Sequence, residues 1–566
     1  MSPLERPTLA SEILARAREA PERAAFHFYD ASNACEVISR SDLIRRSLDW
    51  TRAYRGAGLV EGDIVIVVID HRPDLLFAYL GAILGGFTPS FMPYSTAKQD
   101  AALFADAHRR LFDRIGARVV AVTQGWIEGN GTVLGDGTFK LLIAEAVVRE
   151  VASMESEPIA MVGAHETALL QHSSGTTSLK KGVALSHAAI LNQMCAYRAA
   201  IGLSRQDVVA SWLPLYHDMG LMACWLLPLT SGVPVAQMDP FTWAREPWRL
   251  FEMIERHRAT LVWQPNFAYQ HLARMVDEQV RYDLSSLRAL VNCSEPCKPE
   301  TIRGFLARFE REGLREGCLQ ACYAMAENCF AVTQTPVGRP PGTVLADALV
   351  LSSEGRLASP RGPEDRVIEL MSVGSPVQEV QVRIVDSARR PLDDGLVGEI
   401  VIRGASLFSG YFRLPDETTR TMADGWHHTG DLGLIVEGEL YVTGRLKDLI
   451  IVRGRNFYAH DVEQVVSSCS GVKPGRVAAF GLYAETLGSE EAIIVAEVQG
   501  IEDLDAVHRR KRSAEVKQAV EEALGLTPRT VHLVEPGWLI KTTSGKVSRE
   551  ANLAKYLTAT SLQAGS

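Results

Sequence analysis

Short runs of β-branched and other apolar residues recur along the first two thirds of this chain, separated by amphipathic stretches of helical length. The runs fall at 64–69, 119–123, 208–212, 261–263 and 289–291. Between them, apolar residues recur at helical spacing, as in 73–84, 248–256 and 299–312. Strand–helix alternation on this scale specifies an α/β architecture, with largely parallel or mixed sheets flanked by helices. Open α/β sheets bind ligands beyond the carboxyl ends of their strands. The residues that follow each run are therefore where chemistry is to be sought.

Near Val377 the texture changes. VQEVQVRIVD, GEIVIRG and GELYVTG alternate with period two between Gly-rich turns, which predicts a small antiparallel, β-barrel-like part. After Gly444 it changes again. GRLKDLIIVRGRN, basic and Gly-containing, leads into a helix from about Ala459 and then into strands and helices. At 566 residues the chain is too long for one core. The reading is a large N-terminal domain over 1–446 and a small mobile α+β domain over 447–566, with a hinge at residues 445–448.

Composition removes several function classes. The net charge of −9 argues against a nucleic-acid binder, whose footprint is basic. No apolar stretch reaches transmembrane length; the most apolar segment, 221–229, is short and contains Pro228. The N-terminus carries acidic residues and no signal-type apolar run, and reads as an amphipathic helix around Leu9 to Ala20. Nine scattered cysteines, an odd number, argue for a reducing, cytoplasmic location without a disulfide framework. Cys293/Cys297 and Cys318/Cys322 have i, i+4 spacing. Without a CxxC or nearby histidines they read as buried small apolar residues, with metal binding the alternative. The basic run from His508 to Arg512 reads as an exposed helix face, or as a lure for an acidic partner.

Six segments carry the chemistry. Leu169 to Leu185 reads LLQHSSGTTSLKKGVAL, two apolar runs around Ser173, Ser174, Gly175, Thr176 and Thr177. Backbone N–H groups in such a turn can cradle phosphate oxygens while Lys180 or Lys181 neutralises their charge. The GxxxxGK(S/T) pattern is absent, and a solvated turn is the plainer reading of the cluster by itself. Next, SWLPLYHDMGL at 211–221 sets Tyr216, His217 and Asp218 beyond a strand. His217 reads as a gate or general base, or as a structural histidine beside an aspartate. No Ser or Cys nucleophile motif accompanies it, which argues against a hydrolase triad. Asn292-Cys293-Ser294-Glu295-Pro296 and Tyr323-Ala324-Met325-Ala326-Glu327 follow further strands. There Tyr323 could stack on a purine and Glu327 could ligate Mg²⁺. Asp431, in WHHTGD, reads as an Asx-turn residue in a tight turn or as an acceptor for ribose hydroxyls. Lys546, in KTTSGKVSR, sits on a Gly-containing loop, where an isolated lysine is a surface charge.

In their order and spacing these motifs resemble the ANL superfamily of adenylate-forming enzymes, over about residues 10 to 555. The resemblance implies that Ser173, Ser174, Gly175, Thr176, Thr177 and Lys181 wrap the ATP triphosphate. It assigns Thr176 and Glu327 to Mg²⁺, Tyr323 to adenine stacking, and Ser294, Glu295 and Pro296 to the segment behind the base. Asp431 and Arg445 become the ribose pair, Lys447 the pivot, and Lys546 the bridge between substrate carboxylate and α-phosphate. Within the superfamily the chain is most similar to fatty acyl-AMP ligases, through SWLPLYHDMGL, PNFAY at 265–269, DLSSL at 283–287 and the long Glu327-to-Gly374 connection. In that subgroup the connection carries an insertion thought to restrict the rotation that CoA chemistry needs. Here 348–351 and 367–370 predict its hairpin.

The expected activity follows from the same resemblance. ATP and Mg²⁺ activate a fatty or fatty-like carboxylic acid to acyl-AMP, releasing pyrophosphate. The acyl group then passes to the phosphopantetheine of an acyl carrier protein. CoA or an amine as acceptor are the alternatives, and an adenylate binder without turnover is opposed by the intact Lys546, Glu327 and Asp431. Four departures stand out: Ser178 and Lys180 replace the loop's usual Gly and Pro, and Cys293 and Ala324 alter the strand-end segments. The last two put new side chains near the nucleotide or acyl pocket, pointing to a medium, branched or specialised acid.

Overall fold

A computed structural model describes residues 7–93, 101–134, 138–147, 158–172, 181–362, 365–485, 489–502, 504–541 and 546–564. The expected α/β architecture is present. A nine-stranded sheet forms its centre, running in the order Ser375–Pro376, Ala331–Gln334, Leu319–Ala324, Ala289–Cys293, Leu261–Gln264, Val209–Ser211, Val235–Gln237, Ala24–Tyr29, Cys35–Ser39. From Leu319–Ala324 to Ala24–Tyr29 the neighbours are parallel, and antiparallel strands close both edges. A second, wholly parallel sheet joins Thr88–Phe91, Ile64–Val68, Ala117–Val122 and Lys140–Ile143. Ile64–Val68 is IVIVV and buried at every position. Such an uninterrupted apolar run is what helices on both faces of a parallel sheet require.

The loop of hydroxyls spans a hairpin. Thr167–His172 pairs antiparallel with Gly182–Ser186, and Gly410–Tyr411 adds to the far side of that ladder. The residues between the two long strands, 173–180, lie outside the described residues. The phosphate-loop positions Ser173, Ser174, Gly175, Thr176 and Thr177 are among them.

The period-two segments form a five-stranded antiparallel sheet: Val380–Val385, Gly398–Gly404, Trp426–Val436, Met422–Ala423 and Glu439–Arg445. Asp431 lies within Trp426–Val436, not in a tight turn. Gly430, with φ of 71°, absorbs the local irregularity and lets the strand continue. Beyond it, Leu449–Val452 pairs with Arg455–Tyr458, and Val472–Ala484, Ser489–Val498 and Thr530–Val534 make a further sheet. These strands and helix Ala459–Ser467 bury their own apolar cluster, including Phe457, Val462, Val466 and Ile494.

The insertion is a hairpin, though not with the predicted first strand. Thr343–Asp347 pairs antiparallel with Val367–Met371, while 348–351 begin helix Ala348–Glu354. Asp347 caps that helix by accepting from the backbone amides of Leu349 and Val350. All nine cysteines are free. Among the described residues no helix is long and apolar enough to cross a membrane.

Candidate active site

Parallel pairing brings the ends of Val209–Ser211, Leu261–Gln264, Ala289–Cys293 and Leu319–Ala324 to one edge of the central sheet. There the described residues of these segments meet. Tyr323, near the end of its strand, is 9% exposed, and its hydroxyl donates to Asp431 Oδ2 at 2.6 Å. Arg445 Nε donates to the other oxygen, Oδ1, at 2.7 Å. Asp431 and Arg445 are register partners on adjacent antiparallel strands, which is why they meet although 431 and 445 are distant in the chain. Asp431 holds the Arg445 guanidinium above its ordinary pKa, against the opposing effect of burial. Each carboxylate oxygen of Asp431 keeps a lone pair beyond these bonds, so it can accept from a ligand hydroxyl.

Glu327 lies in a short 3-10 turn, Ala326–Asn328, after Tyr323. Its carboxylate is partly buried, and desolvation raises its pKa; the hydroxyl of Tyr411, donating to Oε1 at 2.7 Å, partly opposes this. The backbone carbonyl of Glu327 accepts from Phe408 N at 2.8 Å. Tyr411 in turn lies under Lys181, whose ammonium sits 4.9 Å from the ring centroid and bonds Glu417 at 2.6 Å. The strand Gly410–Tyr411 pairs beside Lys181, so the end of the hydroxyl loop and the Glu327 carboxylate share one tyrosine. Neither Tyr411 nor Glu417 was picked out from sequence. A two-residue strand has no periodicity to read, and only the pairing reveals it.

Ser294 follows Ala289–Cys293 with a left-handed φ of 69°. A non-glycine residue there is uncommon and costs conformational energy that the surroundings must offset. Its carbonyl accepts Lys546 Nζ at 2.5 Å. Glu295 turns away from this group: Oε2 accepts from Phe267 N at 2.9 Å, at the start of helix Asn266–Met275. Pro296 continues the turn.

His217 and Asp218 close the remaining side, with His217 Nδ1 2.6 Å from Asp218 Oδ1. Burial pushes Asp218 upward most strongly, but His217, the Met219 amide and the charge of Lys546 together hold it below the ordinary value. The lysine of the C-terminal loop is thus felt electrostatically by the 211–221 segment. Just before His217, Leu213, Pro214, Leu215 and Tyr216 line a narrow apolar cleft with Phe28, Ile69, Leu75, Phe91 and Met92. Its polar members are His71 and Gln237. Gln237 is spent on the carbonyl of Leu213, and His71 bonds the carbonyl of Tyr29.

Among the described residues no three His, Cys, Asp or Glu side chains gather as a metal cluster. The donor chemistry at Glu327 still fits a hard cation, because an acceptor-only carboxylate held out of water gains most from a divalent ion. Thr176, its expected companion, lies outside the described residues.

The chain is similar to known proteins in sequence and in fold. The family model of AMP-binding enzymes matches residues 13–412. A medium-chain-fatty-acid–acyl-carrier-protein ligase from Moorena producens is 34% identical over 69% of this chain and 68% of its own length. A probable long-chain-fatty-acid–AMP ligase from Mycobacterium tuberculosis is 35% identical over 68% of this chain and 69% of its own. A structure from studies of fatty acyl-adenylate ligases of E. coli and L. pneumophila superposes with a TM-score of 0.89 at 24% identity, covering 99% of each chain. This chain is therefore a ligase of the AMP-binding enzyme family, within the adenylate-forming ANL superfamily and among its fatty acyl-AMP ligases.

Proposed function

We propose that the protein activates a fatty or fatty-like carboxylic acid with ATP, forms acyl-AMP and pyrophosphate, and passes the acyl group to the phosphopantetheine thiol of an acyl carrier protein. The observation that carries this reading is the reach of Lys546 to the Ser294 carbonyl, beside Tyr323, Asp431 and Glu327. A carboxylate and ATP repel each other, and a cation at this position offsets that repulsion where charge gathers in the transition state.

One carboxylate oxygen of the acid bonds to the α-phosphorus as the bond to pyrophosphate breaks. Lys546 screens both anions. Asp431 and Arg445 orient the ribose, Tyr323 meets the base, and Ser294 to Pro296 back it. Ser173, Ser174, Gly175, Thr176, Thr177 and Lys181 grip the triphosphate. Glu327 and Thr176 would hold Mg²⁺, which would supply positive charge to neutralise the departing pyrophosphate. His217, next in the chain to the cleft-lining Tyr216, acts as a gate or general base at the reacting carboxylate. The thiol then attacks the acyl carbon, AMP leaves, and the thioester forms. No covalent enzyme intermediate is needed.

The chain divides by this reading into a catalytic domain, 1–446, and a mobile domain, 447–566, that carries Lys546. The carrier-protein acceptor is supported by the name of the Moorena relative and by the insertion, which touches the C-terminal part. Arg366 donates to the Glu522 carbonyl at 2.9 Å, and Arg455 reaches Ser352 at 3.5 Å. Such contacts hinder the rotation that CoA chemistry needs. The apolar cleft suits an alkyl chain.

The test is direct. The protein is given ATP, Mg²⁺ and acids of graded chain length, then either CoA or a phosphopantetheinylated carrier protein. Acid-dependent pyrophosphate release and acylated carrier protein are expected. Robust acyl-CoA formation would make CoA the acceptor instead, and no acid-dependent pyrophosphate would remove the adenylation step itself.

A further inference from the structure

Lys298 makes an ion pair that joins the central sheet's flank to the C-terminal part. Its Nζ donates to Asp461 Oδ1 at 2.9 Å, with the two side chains only 21% and 17% exposed. One turn further along helix Ala459–Ser467, Gln464 donates to Glu300. Asp461 and Gln464, three residues apart, share a helix face. Both partners on the other side, Lys298 and Glu300, stand at the start of helix Pro299–Phe309, just beyond Ser294.

The base of Lys298 is anchored. Its backbone amide donates to Asn266 Oδ1 at 3.3 Å, and the same oxygen accepts Asn292 Nδ2 at 2.8 Å. The neighbourhood of Asp461 leaves the pairing to Lys298. His460 Nε2 lies 3.3 Å from Asp461 Oδ1, but burial lowers the His460 pKa to about 4 and leaves the ring uncharged at neutral pH. Arg549, the next cation, is committed elsewhere. It grips both oxygens of Glu463 at 2.7 and 2.6 Å and Asp448 at 2.6 Å.

That commitment links the pair to catalysis. Arg549 is three positions beyond Lys546, and Glu463 is on the helix that carries Asp461. The guanidinium therefore ties the lysine loop to helix Ala459–Ser467, and whatever holds the helix holds the lysine. We infer that Lys298 is a positioning residue for adenylation, its ion pair with Asp461 seating helix Ala459–Ser467 so that Lys546 reaches the strand end. An ion pair suits a contact that must open in each turnover. Desolvation offsets most of its attraction, so it specifies a geometry while adding little net stability. The inference rests on the role of Lys546 proposed above.

The experiment uses the full chain, ATP, Mg²⁺ and the acid that the unmodified protein turns over best, with pyrophosphate release as the readout. Lys298→Met and Asp461→Asn are each expected to lower kcat about tenfold to hundredfold, the scale of a small misplacement of a catalytic group. KM for ATP should stay unchanged, because the nucleotide cradle is untouched. Lys298→Arg should keep most of the activity. The exchanged pair, Lys298→Asp with Asp461→Lys, should recover activity above either single change. An unchanged kcat in Lys298→Met, or an equal loss in Lys298→Arg, would overturn the inference even if the exchanged pair does not fold. A KM for ATP that rises in step with the loss of kcat would also overturn it. An unmodified protein without acid-dependent pyrophosphate release would instead overturn the proposed function.

Discussion

The two sides of the candidate site are held by different kinds of contact. On the cradle side, side-chain bonds join Tyr323 to Asp431 and Arg445, and Tyr411 to Glu327; Asp431 and Arg445 are held by strand register. On the lysine side, Lys546 meets Ser294 through a backbone carbonyl, and Lys298 meets Asp461 across the same seam. A permanent pocket is built from strand pairing, which costs many hydrogen bonds to undo. A surface that must seat and release is built from a few polar contacts whose loss exposes only charges that water can solvate.

The most forceful way to break this contrast is on the lysine side. Lys546→Ala should lower acid-dependent pyrophosphate release by about 10² to 10³, the scale seen when one group that stabilises transition-state charge is removed. KM for ATP should move little. Pyrophosphate release at the unmodified rate would sink the assigned role.

The cradle side gives the next effect, and stability moves the opposite way from activity. Burial raises the pKa of Glu327, so between its ordinary value of 4.5 and the raised one the folded state holds more proton than the unfolded state. Stability therefore falls as pH rises through that window and stays lower above it. Glu327→Gln should raise the thermal midpoint of the unliganded protein at neutral pH while cutting adenylation at least tenfold, as stability–function trade-offs do. A midpoint below that of the unmodified protein would show that the carboxylate is not held against its own desolvation.

The smallest effect sharpens the comparison. Tyr411→Phe keeps the ring under Lys181 but removes one hydrogen bond to Glu327, a change of about 1 kcal/mol. A rise of about fivefold in KM for MgATP, with kcat nearly kept, is expected by that arithmetic. An unaltered KM would separate Tyr411 from the nucleotide cradle.

Long periodic segments were legible from residues alone. The run at 64–69 is the strand Ile64–Val68, and 73–84 contains helix Asp74–Leu84. Four apolar residues at 348–351 were not, because so short a run suits a strand or a buried helix equally. The deciding signal was one residue earlier, in the Asp347 cap. WHHTGD suggests a tight turn at Asp431, with an Asx-turn or a ribose acceptor as its roles, yet pairing with Glu439–Arg445 carries the strand through it. Tyr411 had no sequence signal, and Glu295 spends its carboxylate on a neighbouring helix start that no local pattern reveals.

What the chain's sequence determined by itself is the alternation of strand and helix, the change of texture after Val377, and the chemistry available in each segment. Those depend on local periodicity and side-chain type. Only the tertiary structure decided that Tyr323 donates to Asp431, that Tyr411 joins Lys181 to Glu327, and that Lys298 reaches Asp461. Each of these pairs is brought together by strand register or by packing between distant elements, and neither is written in the spacing of the residues it unites.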